Sequence, residues 1–317
     1  MSARGIVAIA TSLACLSGCS SPSTGAPTPA PATSASPAAD DGGATVEPAP
    51  PPVDAGGPGP DAAALALSAG CGKPATKTGL LAPITLTVKA KSRVYHLAVP
   101  APYDATRAYP VVFVLHGATD TTPQHMHDWF DVHKHTPPAL YVYPQALKRT
   151  HKDGSGGYVT RWDLDGDEDL LFFDALVDAI GKAYCTRAGA AFATGFSSGG
   201  NFTHQLACLR RKALLAAAPV AGPGPFVSTC GGPVPIWITH DANDDALPVS
   251  GARQSRDFWL AANGCTKDLV QDTPAECKRG KTCPSAYRVT YCESVNVGHD
   301  VPAYATKEIG RFFSEWF

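Results

Sequence analysis

A chain of 317 residues, 44% hydrophobic and 17% charged, can bury a sizeable core and is long enough for one large domain or two small ones. Its net charge of -2 provides no broad basic surface, and Lys and Arg are scattered apart from short groups such as LRRK at 209–212. That distribution argues against nucleic acid as a partner.

The first stretch in chain order reads as an export signal. Arg4 precedes an apolar run from Ile6 to Leu16 that is too short to span a bilayer as a permanent helix. Leu16, Ser17, Gly18 and Cys19 follow, an order that resembles the lipobox of bacterial lipoproteins, in which Cys19 becomes the lipidated first residue of the mature chain. An ordinary secretory signal cleaved nearby is the other reading. Both export the protein, and they differ in whether acyl chains hold it at a membrane. Residues 20–68 are mostly Ala, Pro, Gly, Ser, Thr and Asp, with too few large apolar side chains to offset the entropy of ordering. A disordered, Pro-stiffened tether is expected there, followed by one folded domain over 69–317.

Beyond Cys15 and Cys19, eight cysteines remain: Cys71, Cys185, Cys208, Cys230, Cys265, Cys277, Cys283 and Cys292. An even number in an exported chain argues for disulfides, and the absence of a Cys-x-x-Cys pair among them argues against zinc. The short gap between Cys277 and Cys283 makes that pair an expected small loop; the sequence leaves the others unassigned.

Within the domain, ITLTV and RVYHLAV alternate like antiparallel edge strands. VVFVLHG, ALYVYP, AAFATGF, VPIWITH and YRVTYC read as more central strands, several nearly continuous in apolar residues as burial on both faces requires. Between them, Leu170, Phe173, Leu176, Val177 and Ile180 recur at helical spacing, a second helix is expected over 199–214, and YATKEIGRFFSEWF closes the domain as a third. The rhythm is that of an α/β fold with a mostly parallel central sheet and helices on both faces, here disulfide-stabilised.

AFATGFSSGGN, residues 191–201, puts Ser197 between Gly195 and Gly199 where a strand meets a helix. A glycine–serine turn can be purely structural, but a nucleophile needs partners: a base to take the hydroxyl proton and a carboxylate to fix that base's tautomer. DANDDALPV after VPIWITH offers Asp241, Asp244 and Asp245 just past a strand, and His299 follows YRVTYCESVNVG just before the last helix. The chain order serine, acid, histidine is that of a strand–turn–helix hydrolase. The amides of Ala118, in the loop after VVFVLHG, and of Ser198 are the expected oxyanion donors, and His116 is expected to organise that loop rather than move protons.

The combination VLHGAT, YVYPQAL, RWDLDGDEDLLFFDAL, FATGFSSGGNFTHQLAC, APVAG, WITHDANDDALPV and GHDVPAY resembles the polyhydroxybutyrate depolymerase and feruloyl esterase branch of the α/β-hydrolases, similar to carbohydrate esterase family one, over most of 71–317. The resemblance implies an α/β-hydrolase fold and a secreted serine esterase without a cofactor, catalysed by Ser197, Asp244 and His299. The substrates it implies are polyhydroxybutyrate-type polyesters, or feruloyl or acetyl esters of plant polysaccharide. Two departures stand out. The branch usually reads His-Gly-x-x-Asp at the acid loop, whereas Asp241 replaces that glycine here and keeps Asp245 open as a substitute for Asp244. Val301 stands where the branch has a tryptophan, so the substrate wall is expected to differ there.

DLDGDED at 163–169 lacks the order of a calcium loop and is expected to cap a helix N-terminus. HMHDWFDVHKH carries His125, His127, His133 and His135 but no second ligand motif, so a polar loop near the cleft is expected rather than a metal site. Trp129 and Trp162 are the candidate substrate-lining aromatics. A monomer that meets a membrane only through its lipid is expected. The alternatives are a non-catalytic binding protein on a hydrolase fold and a serine peptidase.

Overall fold

The computed structural model describes residues 66–317 apart from 120–121, 151–156 and 285. The expected signal, Cys19 and most of the expected tether lie outside the described residues. The strands are β1 (Gly79–Leu80), β2 (Ile84–Val88), β3 (Lys91–Val99), β4 (Val111–Leu115), β5 (Leu140–Pro144), β6 (Lys148–Thr150), β7 (Tyr158–Thr160), β8 (Ala191–Phe196), β9 (Leu214–Val220), β10 (Ile236–Asp241), β11 (Leu269–Gln271), β12 (Cys277–Gly280) and β13 (Val289–Ser294). The helices are α1 (Pro123–Trp129), α2 (Glu168–Ala183), α3 (Ser198–Leu209), α4 (Val249–Ala262) and α5 (Ala305–Ser314).

Among the described residues, eleven strands form one sheet, in which β5, β4, β8, β9, β10 and β13 run parallel side by side while β3 and β12 continue it antiparallel at the two flanks. Every residue of β4, β5, β9 and β10 is buried, as strands covered on both faces must be. Alternation along β4 divides the core into two layers. Val111, Phe113 and Leu115 join Phe173, Leu176 and Ile180 of α2, Phe202 and Leu206 of α3, and Trp259 and Leu260 of α4. Val112 and Val114 join Met126 of α1 and Ile309, Phe312 and Phe313 of α5. The mostly parallel sheet with helices on both faces, expected from the strand rhythm, is therefore present, in keeping with the α/β-hydrolase fold that the resemblance implies.

The chain adds β5 on one side of β4 and then crosses to add β8 on the other. The loops leaving β4 and β8 thus diverge at the carboxyl edge of the sheet, where open α/β sheets leave a crevice.

Several elements go unread in the sequence, among them α1, where a polar loop is expected, and the central pair β9 and α4. β9 is LLAAAPV, and its alanines favour a helix by propensity, yet it lies buried between β8 and β10 with α3 so close that a Cβ on Gly200 would sit 2.5 Å from the Val220 carbonyl oxygen, an approach that small side chains permit. The expected second helix accordingly stops at Leu209 rather than continuing into LLAAA. α4 buries only Ala252, Ser255, Trp259 and Leu260 along its length, too sparse an apolar stripe to stand out.

Among the described residues, four disulfides pair Cys71 with Cys185, Cys208 with Cys230, Cys265 with Cys283 and Cys277 with Cys292. The expected Cys277–Cys283 pair is wrong. Cys277 and Cys292 face each other across the antiparallel register of β12 and β13, while the chain runs extended through β12 and delivers Cys283 beside the end of α4, next to Cys265. An extended strand gains about 3.3 Å per residue, so β12 carries Cys283 out of reach of Cys277 despite their closeness in sequence.

The carboxylates around the start of α2 behave differently from the expected caps. Asp167 makes no capping bond and pairs with Lys89 instead. Asp169, buried, meets buried Arg93 at 2.5 Å and Arg149 at 3.2 Å, and accepts from the Asp163 N–H at 2.6 Å. A buried charge requires such partners, and these tie β3 and the β6–β7 hairpin to the start of α2.

Candidate active site

Ser197 sits at the junction of β8 and α3 with φ 54° and ψ −118°, a strained conformation for a residue with a side chain. Its N–H donates to the Val220 carbonyl at 2.9 Å, and its carbonyl accepts from Asn201 N–H at 2.9 Å, so the turn is held from both sides. Side chains are impossible at the flanking positions: a Cβ on Gly195 would lie 2.6 Å from the Leu115 carbonyl oxygen, and one on Gly199 only 2.1 Å from it. These contacts press the elbow against the end of β4 and leave the serine at the sheet edge.

His299 Nε2 lies 2.8 Å from Ser197 Oγ, and His299 Nδ1 lies 2.8 Å from Asp244 Oδ2. A carboxylate only accepts, so Nδ1 carries the proton and Nε2 is free to accept from the serine hydroxyl. The Asp244 side chain is fully buried, and four donors converge on it. Oδ1 accepts from the N–H groups of Ala246 (2.9 Å) and Leu247 (2.8 Å), and Oδ2 from His299 and from His240 Nε2 at 3.1 Å. His240 Nε2 also faces the Leu247 carbonyl at 2.7 Å, so both of its neighbours are acceptors and that nitrogen holds the proton. Asp245 is exposed; the carboxylate that meets His299 is that of Asp244.

The loop after β4 carries Ala118, which is partly exposed, and adjoins the elbow: the Gly117 backbone packs against the Phe196 ring. His116, wholly buried, organises it. Its Nδ1 donates to the Gly117 carbonyl at 2.6 Å, and its Nε2 accepts from the Ala146 N–H at 2.9 Å. Burial outweighs the Gly117 carbonyl and the Asp169 charge, which favour the protonated ring, and pushes the imidazole down to about 4, so the ring is neutral near pH 7. Thr119 N–H is tied to the Thr160 carbonyl at 2.9 Å.

Trp162 does not line a cleft. Only 1% of it is exposed; its ring stacks on Phe202 with centroids 5.0 Å apart, and its Nε1 donates to the His116 carbonyl at 2.8 Å. Its backbone N–H reaches Ser198 Oγ at 3.2 Å. An indole with a buried donor needs an acceptor, and here that need makes Trp162 a brace beneath the His116 loop rather than a wall.

Trp129 is partly exposed at the end of α1, edge-on to Phe196 at 5.2 Å, and Phe196 in turn lies 5.0 Å from the His299 ring. Phe196 is a further residue of this wall, and its place immediately before Ser197 is the sequence signal for it. Val301 is partly buried against the same layer as Trp129 and Phe196. His125 stacks on Trp129 and His127 on His133, and among the described residues no group of three or more His, Cys, Asp or Glu side chains is arranged to hold a metal.

No family model matches the chain. It is 29% identical over 211 residues to a probable feruloyl esterase C of Aspergillus terreus, covering 64% of this chain and 71% of that one. It is 30% identical over 219 residues to feruloyl esterase D of Neurospora crassa, covering 64% and 70%. The structure of an acetyl xylan esterase from Aspergillus awamori superposes with a TM-score of 0.52 at 14% identity, over 73% of this chain and 98% of that one, a likeness of fold. With the relation to feruloyl esterase D extending over more than two thirds of that enzyme, the chain belongs to the feruloyl esterase family of α/β-hydrolases and is a serine-type ester hydrolase.

Proposed function

We propose that Ser197, His299 and Asp244 form the catalytic triad of an exported esterase that removes aromatic acyl groups of the feruloyl type from plant polysaccharide. The observation that carries this reading is the His299 ring lying 2.8 Å from both Ser197 Oγ and Asp244 Oδ2. His299 Nε2 takes the hydroxyl proton as Ser197 Oγ attacks the ester carbonyl, and the N–H groups of Ala118 and Ser198 hold the developing oxyanion. Asp244 keeps the imidazole in the tautomer with Nδ1 protonated and stabilises the imidazolium that forms. His299 then gives its proton to the leaving alkoxide, leaving an acyl-enzyme. Water, deprotonated by the same nitrogen, attacks the acyl carbon and frees the acid, and the proton returns to Ser197. Side chains and water complete this cycle.

The aromatic acyl group is supported by the names of the relatives and by Trp129 and Phe196, which offer apolar ring surface next to His299. Export is supported by the disulfides, which persist in oxidising compartments. A lipid on Cys19 and a tether ahead of the domain complete the proposal.

The test is hydrolysis of methyl ferulate, acetylated xylan and hydroxybutyrate oligomers by wild type and Ser197→Ala. Methyl ferulate is expected to give the highest kcat/KM, and Ser197→Ala is expected to lose about 10⁴-fold or more in kcat. Equal rates in the two proteins overturn the mechanism, and preference for acetylated xylan or hydroxybutyrate overturns the aromatic assignment.

A further inference from the structure

Asp241 ends β10 at the position where the resembling branch has glycine, and only 1% of it is exposed. Its Oδ1 accepts from the N–H groups of Asn243 at 2.9 Å and Gly298 at 3.1 Å, and its Oδ2 from the Val297 N–H at 3.1 Å. Two residues on, Asn243 Oδ1 accepts from the Asn296 N–H at 3.0 Å. Asn296, Val297 and Gly298 are consecutive, and they lead directly into His299. Two side chains of the acid loop therefore hold three successive amides of the base loop. The backbone adds one more tie, from Ala242 N–H to the Ser294 carbonyl at 2.8 Å.

The base loop has little else to fix it. Asn296 and Gly298 both have positive φ, 62° and 76°, so the segment leaves the β13 ladder and its amides need acceptors from elsewhere. Val295 and Val297 are exposed, so packing does not hold the loop down. Burial alone would raise the Asp241 pKa, but hydrogen bonds, those from the N–H groups of Asn243 and Gly298 foremost, outweigh it and hold the carboxyl below its ordinary value.

We propose that Asp241, assisted by Asn243, is a positioning residue: it locks the base loop to the acid loop and so sets His299 between Asp244 and Ser197. This rests on the reading of His299 as the base. A glycine at 241 has no side chain to make these bonds, so the clamp is a device that the Asp241 departure introduces.

The experiment compares Asp241→Ala, Asp241→Asn, Asn243→Ala and Ser197→Ala with wild type on p-nitrophenyl acetate. Rates of the serine-containing proteins are expressed per active site counted by complete fluorophosphonate labelling. Asp241→Ala is expected to lower kcat about 10- to 100-fold while KM stays within about twofold, because sub-ångström misplacement of a base acts on the chemical step. Asp241→Asn keeps the Oδ1 acceptor, loses the one facing Val297, and is expected to fall between. Asn243→Ala loses one hydrogen bond and is expected to cost about threefold. Wild-type kcat per site in Asp241→Ala, or no rescue by Asn, overturns the clamp; so does a loss accounted for by fewer labelled sites alone. Activity retained by Ser197→Ala would instead sink the triad reading itself, so the two failures are distinguishable.

Discussion

Ser197 Oγ and His299 Nε2 meet at 2.8 Å although they lie 102 positions apart in the chain. The contact is made by two loops that leave parallel strands at the same edge of the sheet, one held by the glycine contacts around the elbow and the other by bonds from the acid loop.

The two adjacent acidic residues of the acid loop are expected to differ sharply in effect. Asp244→Asn places an amide against His299 Nδ1 and favours the wrong tautomer, so kcat should fall about 10³- to 10⁴-fold. Asp245→Asn alters an exposed side chain and should leave kcat within about twofold. Steady-state kinetics on a p-nitrophenyl ester decides the matter, and a larger loss in Asp245→Asn would reassign the acid.

Trp129 is expected to govern acyl preference. Removing its ring should raise KM for methyl ferulate about 3- to 10-fold, the worth of an aromatic contact, while KM for p-nitrophenyl acetate changes little. Parallel changes on the two substrates would show that Trp129 supports the fold and does not touch the acyl group.

Acid should weaken the fold through buried histidines. Burial pushes His116 down to about 4 and His204 down to about 3. Each ring is wedged against a backbone or indole N–H that requires it neutral: Ala146 N–H for His116 and Trp259 Nε1–H for His204. The unfolded chain protonates near pH 6.5, so between that pH and the folded value it binds more protons than the native state, and stability rises with pH. Lowering pH from 7 to 5 should cost on the order of 1–2 kcal/mol per histidine. Urea unfolding at the two pH values checks this, and a flat stability profile would contradict it.

Lipidation at Cys19, outside the described residues, is expected to retain the protein in the membrane fraction. Cys19→Ser should move it to the soluble fraction with esterase activity intact. Unchanged fractionation would remove the anchor from the proposal.

Several features were legible before any coordinates. The central strands VVFVL, LYVYP and IWITH declare two-sided burial by their composition, and Gly195 and Gly199 mark a turn that only a close approach would demand. β9 and α4 were not legible, because alanine and serine fit both a helix and a crowded interior. Trp162 misled for a related reason: a tryptophan near the motif is equally compatible with a wall and a buried brace until its indole N–H has a partner. Cys277 misled because nearness along the chain says little once the segment is a strand.

The sequence by itself determined the period of the strands, the elbow at Ser197, and the order of serine, acid and histidine, since these depend on local sterics and on which residue types can do the chemistry. Only the tertiary structure decided that Asp244 rather than Asp245 meets His299, how the eight cysteines pair, and that Asp241 binds the amides before the histidine. Those outcomes are fixed by strand register and by which buried N–H groups lack acceptors, quantities that exist only once segments far apart in the chain are side by side.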